Sequence, residues 1–298
     1  MRIFVTGATG YIGSAVTAAF VRAGHEVTAL VRPSARPRAL QQRGVQVVTG
    51  DLADIGANRH ALAGFDVYVH AAFDASPRGP GVDRHVIETI RDVAEESGGA
   101  AFIYTSGVWV LGNTRAPADE TAPVDPPAVV AHRPALEGLV LDANGGGMRA
   151  IVVRPGIVYG GSRGIIADML RDAANGILRV IGTGDNRWPL VYDRDLADLY
   201  VRLATHPTAS GLFHATDEGD ERVNDLVRAM SAQVAHAPEV RYMPVQEARA
   251  RLGPVADALA LDQVVRSPRA KEIGWAPTMR SVARNVPRLF EEWRNREA

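Results

Sequence analysis

The 298-residue chain contains no cysteine. Disulfides, thiolate metal sites and a cysteine nucleophile are therefore excluded together. Lysine is nearly absent too: of 33 basic residues only Lys271 is lysine and the rest are arginine. Chemistry that needs a lysine has one candidate, near the C-terminal end. No apolar run approaches the roughly 18 to 20 residues that span a bilayer, and the chain opens on an apparent strand instead of a basic-then-apolar leader. The expectation is a cytoplasmic protein with no membrane contact. Excess charge of one sign is lacking as well, with 33 basic against 34 acidic residues and a formal charge of −1. No global field draws in nucleic acid. The 46% hydrophobic and 22% charged residues, with only 29 glycines and 18 prolines, describe a globular chain with room for one large domain or two modest ones.

Alternating elements fill the first half. Arg2 to Val5 reads as a buried strand, and Ile12, Val16, Ala19 and Phe20 recur at helical spacing up to a C-terminal Gly24. Glu26 to Val31, Val45 to Val48, Val67 to His70, Ala101 to Tyr104 and Ala150 to Val153 read as further strands, with helices at Val82 to Glu96 and Pro134 to Ala143. The pattern predicts a doubly wound α/β fold, a parallel sheet with helices on both faces. Beyond Pro155 the rhythm loosens. Helices are expected at Ile165 to Ala174, Asp195 to Ala204, Val223 to Val234, Val245 to Leu252 and Val282 to Trp293, with an extended piece at Arg179 to Ile181 and a further strand at Leu212 to Ala215. This divides the chain into an α/β domain over 1–160, with returning segments near 190–216, and a smaller mixed lobe over 161–298, the first expected to bind a dinucleotide on the motif that follows and the second to hold the substrate.

Between the first strand and its helix stands Gly7-Ala8-Thr9-Gly10-Tyr11-Ile12-Gly13. Glycines there permit a tight turn and close approach of a pyrophosphate, whose charge meets free backbone N–H groups and the positive helix end. At the end of the second strand an acid would bind a ribose 2′-hydroxyl and repel a 2′-phosphate, whereas an arginine does the reverse. Arg32 occupies that place, Arg36 and Arg38 follow, and no Asp or Glu intervenes before Asp51. NADP(H) is therefore expected over NAD(H).

The G-x-x-G-x-x-G spacing, with Gly50-Asp51-Leu52, His70-Ala71-Ala72, Thr105-Ser106-Gly107, Arg154-Pro155-Gly156-Ile157-Val158-Tyr159-Gly160 and Val191-Tyr192-Asp193-Arg194-Asp195 in order, resembles the extended and atypical, epimerase/dehydratase-like branches of the short-chain dehydrogenase/reductase superfamily. The resemblance covers most of the chain and implies a Rossmann-type fold. It places Asp51 and Leu52 against adenine, Ala71 and Ala72 beside the ribose and nicotinamide, and Thr105, Pro155, Ile157 and Val158 along the cofactor. Ser106 becomes the hydroxyl that binds the substrate oxygen. Ordinary members also carry Tyr-x-x-x-Lys, and this chain has none. Matching the helix around Glu137 puts Arg133 at the lysine position and Val129 at the tyrosine position. Arginine can hold a ribose; valine cannot transfer a proton. Candidates to replace the phenol are Tyr159, Tyr192, His132 (for its pKa near neutrality) and water. Trp109, Trp188, Tyr159 and Tyr192 are further candidates for the substrate wall.

Other chemistries find little support. His85 and Glu88 share a helix face without a third ligand, so no metal site is expected. Asp119 and Glu120 sit in a Pro-rich loop and read as solvated, and the hydrolase motif G-x-S-x-G is absent. The expected function is an NADP-dependent oxidoreductase for a small carbonyl or alcohol. The alternatives are a nucleotide-sugar epimerase or dehydratase, which leans harder on the missing tyrosine, and a non-catalytic NADP(H) sensor. By family analogy a homodimer could form through the Val82 to Glu96 and Pro134 to Ala143 helices.

Overall fold

The computed structural model describes residues 1–297 apart from Arg36, Gly98, Gly99 and Gly146. The expectation for Arg36 thus lies outside the described residues. The chain runs β1 (Arg2–Thr6), α1 (Tyr11–Arg22), β2 (Glu26–Val31), α2 (Arg38–Gln41), β3 (Gln46–Thr49), α3 (Arg59–Leu62), β4 (Val67–His70), α4 (Gly79–Ser97), β5 (Ala101–Thr105), α5 (Arg133–Leu141) and β6 (Arg149–Pro155). It continues through β7 (Ile157–Tyr159), α6 (Ile165–Ala174), β8 (Ile177–Ile181), β9 (Arg187–Trp188), β10 (Leu190–Tyr192), α7 (Asp193–Thr205), β11 (Gly211–Ala215) and β12 (Glu221–Arg222). Last come α8 (Val223–Gln233), β13 (Glu239–Met243), α9 (Val245–Leu252), α10 (Val255–Leu259), α11 (Pro268–Glu272) and α12 (Val286–Glu297).

Seven strands form one parallel sheet in the order β3-β2-β1-β4-β5-β6-β11, the Rossmann-type α/β arrangement anticipated from the alternation. Successive strand residues point to opposite faces, and the two cores sort accordingly. Ile3, Val5, Val67, Val69, Ile103 and Val153 join α1 and α7 on one face. Phe4, Tyr68, Phe102, Ala150 and Val152 join α4 and α5 on the other. Both faces are covered, which is why these strands read as unbroken apolar runs instead of alternating ones. A third core, with Met169, Leu178, Trp188, Leu226 and Phe290, gathers α6, α8 and α12 beyond the sheet.

Several boundaries differ from the sequence reading. α12 starts at Val286 instead of Val282, after a short 3-10 turn at Ala283–Asn285, which leaves Pro287 in a first helical turn where its missing N–H costs nothing. The strands β7, β9, β10, β12 and β13 were not anticipated. They pair only two by two, β7 with β10, β8 with β13 and β9 with β12, and most are too short for a periodic signal. Among the described residues no helix is long and apolar enough to cross a membrane.

Candidate active site

In an open parallel sheet ligands gather beyond the carboxyl ends of the strands where the order reverses, here between β1 and β4. The turn after β1 is shaped by its own packing. Gly7 has φ 79°, and a Cβ there would lie 2.5 Å from the Ala71 carbonyl oxygen. A Cβ on Gly13 would lie 2.1 Å from the Gly7 carbonyl oxygen, so Gly13 serves close packing of α1 on the turn and does not face the groove. Gly10 is the α1 N-cap without a side-chain cap, and the first turn of α1 carries no acid. That leaves the first-turn amides and the positive helix end for an anion. The turn is also tied to the second half of the chain: the Tyr11 hydroxyl donates to the Gly160 carbonyl at 2.7 Å, and Arg163 donates to the Thr9 carbonyl at 3.0 Å.

A groove of about 700 Å³ runs over this turn, walled by Gly7, Thr9, Gly10, Tyr11 and Ile12, by Asp51 and Leu52, and by Ala71 and Ala72. The structure thus brings together ten of the expected cofactor residues, counting Arg32, which stands exposed at the same wall. Arg38 opens α2 and is exposed, but it does not reach the groove. Arg78, which the sequence did not single out, lines the groove together with Arg32. Between them the Asp74 carboxyl is held below its ordinary value by hydrogen bonds from the Ser76 backbone and side chain, helped by the charges of Arg78 and Arg32. Asp51 accepts a hydrogen bond from the Ala53 amide at 2.9 Å and so caps the following turn. The residues present fit a nicotinamide dinucleotide: a glycine turn at the start of α1, Asp51, Leu52, Ala71 and Ala72 along the groove, and Arg32, Asp74 and Arg78 on its wall.

Tyr11, Ile12 and Phe73 also wall an adjoining pocket of about 380 Å³, with Ser106, Trp109, Val129, Arg133, Pro155, Ile157 and Val158. Phe73, 63% exposed, is explained by its place between the two spaces and under Arg133, whose Cζ lies 5.6 Å from the ring centroid. Arg133 opens α5 and donates to the Thr105 carbonyl at 2.9 Å. The Thr105 side chain itself bonds to the Tyr200 hydroxyl at 2.7 Å, and Thr105 is not among the residues that wall the groove or the pocket. Pro134 falls in the first turn of α5, where it is tolerated.

Ser106 is nearly buried at the end of β5. Its hydroxyl donates to Glu137, which is clamped by Arg154 through two hydrogen bonds, 2.9 Å from Nε and 2.5 Å from Nη2. The serine proton is therefore committed, and the oxygen offers lone pairs to the pocket. Glu137 and Arg154 were quoted only as alignment marks in the sequence reading. A carboxylate on the apolar face of α5, between Leu136 and Val140, matched by an arginine inside a buried strand, was the available signal.

The phenol candidates lie elsewhere. Tyr159 is fully buried, and its hydroxyl sits between the Asp217 carboxylate and the Met279 carbonyl, 3.1 Å from each. Burial pushes that phenol far up, and the expected catalytic or substrate-facing role is corrected. Tyr192 is buried with its hydroxyl donating to Glu292 at 2.8 Å, and burial raises it to about 12. Trp188 donates to the Leu259 carbonyl at 3.0 Å and faces a different cavity. His132, half-buried before α5, is pushed down by burial and then by Arg133, and it is not on the pocket wall. Val129 does line the pocket, at the position where a tyrosine was looked for.

The model of the NAD-dependent epimerase/dehydratase family matches residues 3–215, and the chain belongs to that family, part of the extended short-chain dehydrogenase/reductase superfamily of NAD(P)-dependent oxidoreductases and epimerases. The 4-hydroxy-2-methyl-3-oxo-4-farnesyl-3,4-dihydroquinoline-1-oxide ketoreductase of Stigmatella aurantiaca is 34% identical over 84% of this chain and 78% of its own length. The 2-alkyl-3-oxoalkanoate reductase of Stenotrophomonas maltophilia is 30% identical over 78% and 76%. Among solved structures, human epimerase family protein SDR39U1 with NADPH has the same fold, with a TM-score of 0.80, 21% identity, and 98% of this chain and 99% of that one covered.

Proposed function

We propose that the chain is an NADP(H)-dependent reductase interconverting a carbonyl substrate and its alcohol. The observation that carries this reading is the continuity of the dinucleotide groove with an apolar pocket through Tyr11, Ile12 and Phe73, with Ser106 and Arg133 at the pocket wall. Preference for NADP(H) is inferred from Arg32 and Arg78 at the groove and from the lack of an acid at the end of β2. Both relatives described above are named for reducing keto compounds, which supports carbonyl chemistry.

Bound in the groove, the reduced cofactor supplies hydride. The chain's own residues do the rest. The amides around Gly10 would hold the pyrophosphate, Arg32 and Arg78 the 2′-phosphate, and Asp51 and Leu52 the adenine side. Arg133 would touch the ribose and place a fixed positive charge where oxyanion character develops, already oriented by its bond to the Thr105 carbonyl. Ser106, its proton given to Glu137, would accept a hydrogen bond from the alcohol form. Among the described residues the tyrosine on the pocket wall is Tyr11, whose hydroxyl donates to Gly160, so water is the proton source in this reading. A positioned general acid contributes roughly 10² to 10⁴ in rate, and turnover is expected to be correspondingly slow.

A non-catalytic NADP(H) sensor is the second reading, favoured by Val129 in place of a phenol and by the committed Ser106 proton. NADPH oxidation against a panel of ketones separates the two. Substrate-dependent turnover that drops in Ser106→Ala and Arg133→Gln supports the reductase; tight NADPH binding with no turnover on any ketone supports the sensor.

A further inference from the structure

The reaction pocket is bounded on one side by Ile165 and Val255. Ile165 is also a wall of a second cavity of about 490 Å³, lined mainly by apolar groups that include Met169, Trp188, Met243, Leu252 and Leu259. Two helices relate these spaces in the same way. On α6, Ile165 faces both and Met169, four residues on, faces the second. On α10, Val255 faces the first and Leu259, four residues on, the second. Residues four apart on a helix are neighbours on one face, about 5–6 Å apart. Ile165 is thus a wall common to both cavities, and Trp109, Ile165 and Leu259 pack partly buried on the same core.

The second cavity is mainly apolar, and each charged side chain at its wall is paired, Asp168 with Arg171 and Arg251 with Glu247 among them. Its charged members are Asp168, Asp172, Arg179 and Arg251, and the pair Arg179 and Asp172 satisfy each other at 2.8 Å. Methionine side chains adapt to irregular apolar shapes, and Leu252 stands half-exposed at this wall. Sugar hydroxyls set against the apolar part of the wall would lose hydration for little in return, whereas a hydrocarbon chain would not.

We propose that this cavity is the tail compartment of the substrate site, so that the substrate is a ketone bearing a long apolar chain. Its carbonyl lies at Arg133, the hydroxyl of its alcohol form faces Ser106, and its chain passes Ile165 onto Met169, Met243 and Leu252. This rests on the reductase reading, and the experiment keeps the two apart.

NADPH oxidation is followed with straight methyl ketones from butanone to dodecanone, and binding is followed by Trp emission with a dodecanone brominated on its terminal carbon, a contact quencher. The expected result is a kcat/KM that climbs about fourfold per buried methylene until the cavity is filled. Leu252→Glu, at a half-exposed position, flattens that climb. The brominated ketone quenches the wild type, and the quenching is lost in Trp188→Phe. Turnover of butanone with a flat chain-length series and quenching that survives in Trp188→Phe overturns the tail compartment and leaves the reductase standing. Quenching that depends on Trp188, with no turnover of any ketone, keeps the compartment and removes the reductase.

Discussion

At the residue scale the molecule holds a few ionisable side chains deep in its interior. Glu137 and Arg154 are 4% and 6% exposed at their side chains, and removing one partner of a buried pair strands the other in a low-dielectric interior. Glu137→Ala is expected to destabilise the fold by about 3–5 kcal/mol in urea titrations; a loss below about 1 kcal/mol would place the pair in a solvated setting. Asp217 and His214 oppose each other with pH. Burial lifts Asp217 to about 7, so the folded state keeps a proton that the unfolded chain sheds above 3.8, and stability falls as pH rises across that window. Burial depresses His214 to about 4, so below 6.5 the unfolded chain takes up a proton the folded state refuses, and stability falls as pH drops. The two slopes offset each other in the native protein. Asp217→Asn should therefore lose stability on acidification from about pH 6.5 to 4, and His214→Gln should gain it, each by a few kcal/mol at about 1.4 kcal/mol per pKa unit. Denaturant midpoints across that range decide it, and parallel slopes in the two variants would contradict the assignment.

At the element scale, what the sequence made legible was whatever local chemistry dictates. The strand, glycine turn and helix at the N-terminus could be read because tight packing forces the residue types: Gly7 and Gly13 have no room for a Cβ. Arg32 could be placed because a strand's end is a fixed address. Tyr159 and Tyr192 could not, because β7 and β10 pair with each other and turn both rings into the third core, a matter of tertiary pairing that three-residue strands do not announce. Arg78 and Phe73 were illegible for a related reason: they lie in a loop after β4, and only the folded chain brings it to the groove. The glycines also offer a matched comparison. Gly7 and Gly24 share φ 79°, but a Cβ on Gly24 meets nothing within 4 Å. Gly24→Ala should cost about 1–2 kcal/mol for left-handed backbone alone with cofactor binding intact. Gly7→Ala adds a collision with the Ala71 carbonyl and should weaken NADPH binding roughly tenfold or more, the loss of about one charged hydrogen bond. Equal NADPH affinity in the two variants would mean the turn does not form the cradle.

At the scale of the whole molecule, the sheet's switch point, the uncapped start of α1 and the arginines beyond β2 and β4 converge on one groove, and the groove opens into an apolar pocket. The family supplies the nicotinamide cofactor; this chain's own residues argue for which one. In the proposed reading the groove grips a 2′-phosphate. Titrating purified protein with NADPH and with NADH, followed by nicotinamide fluorescence, tests that most directly. The account predicts NADPH binding tighter by about 10- to 100-fold, the worth of a charged hydrogen bond or two, with most of the difference lost in Arg32→Glu. Equal or tighter binding of NADH, or no binding of either, would contradict it.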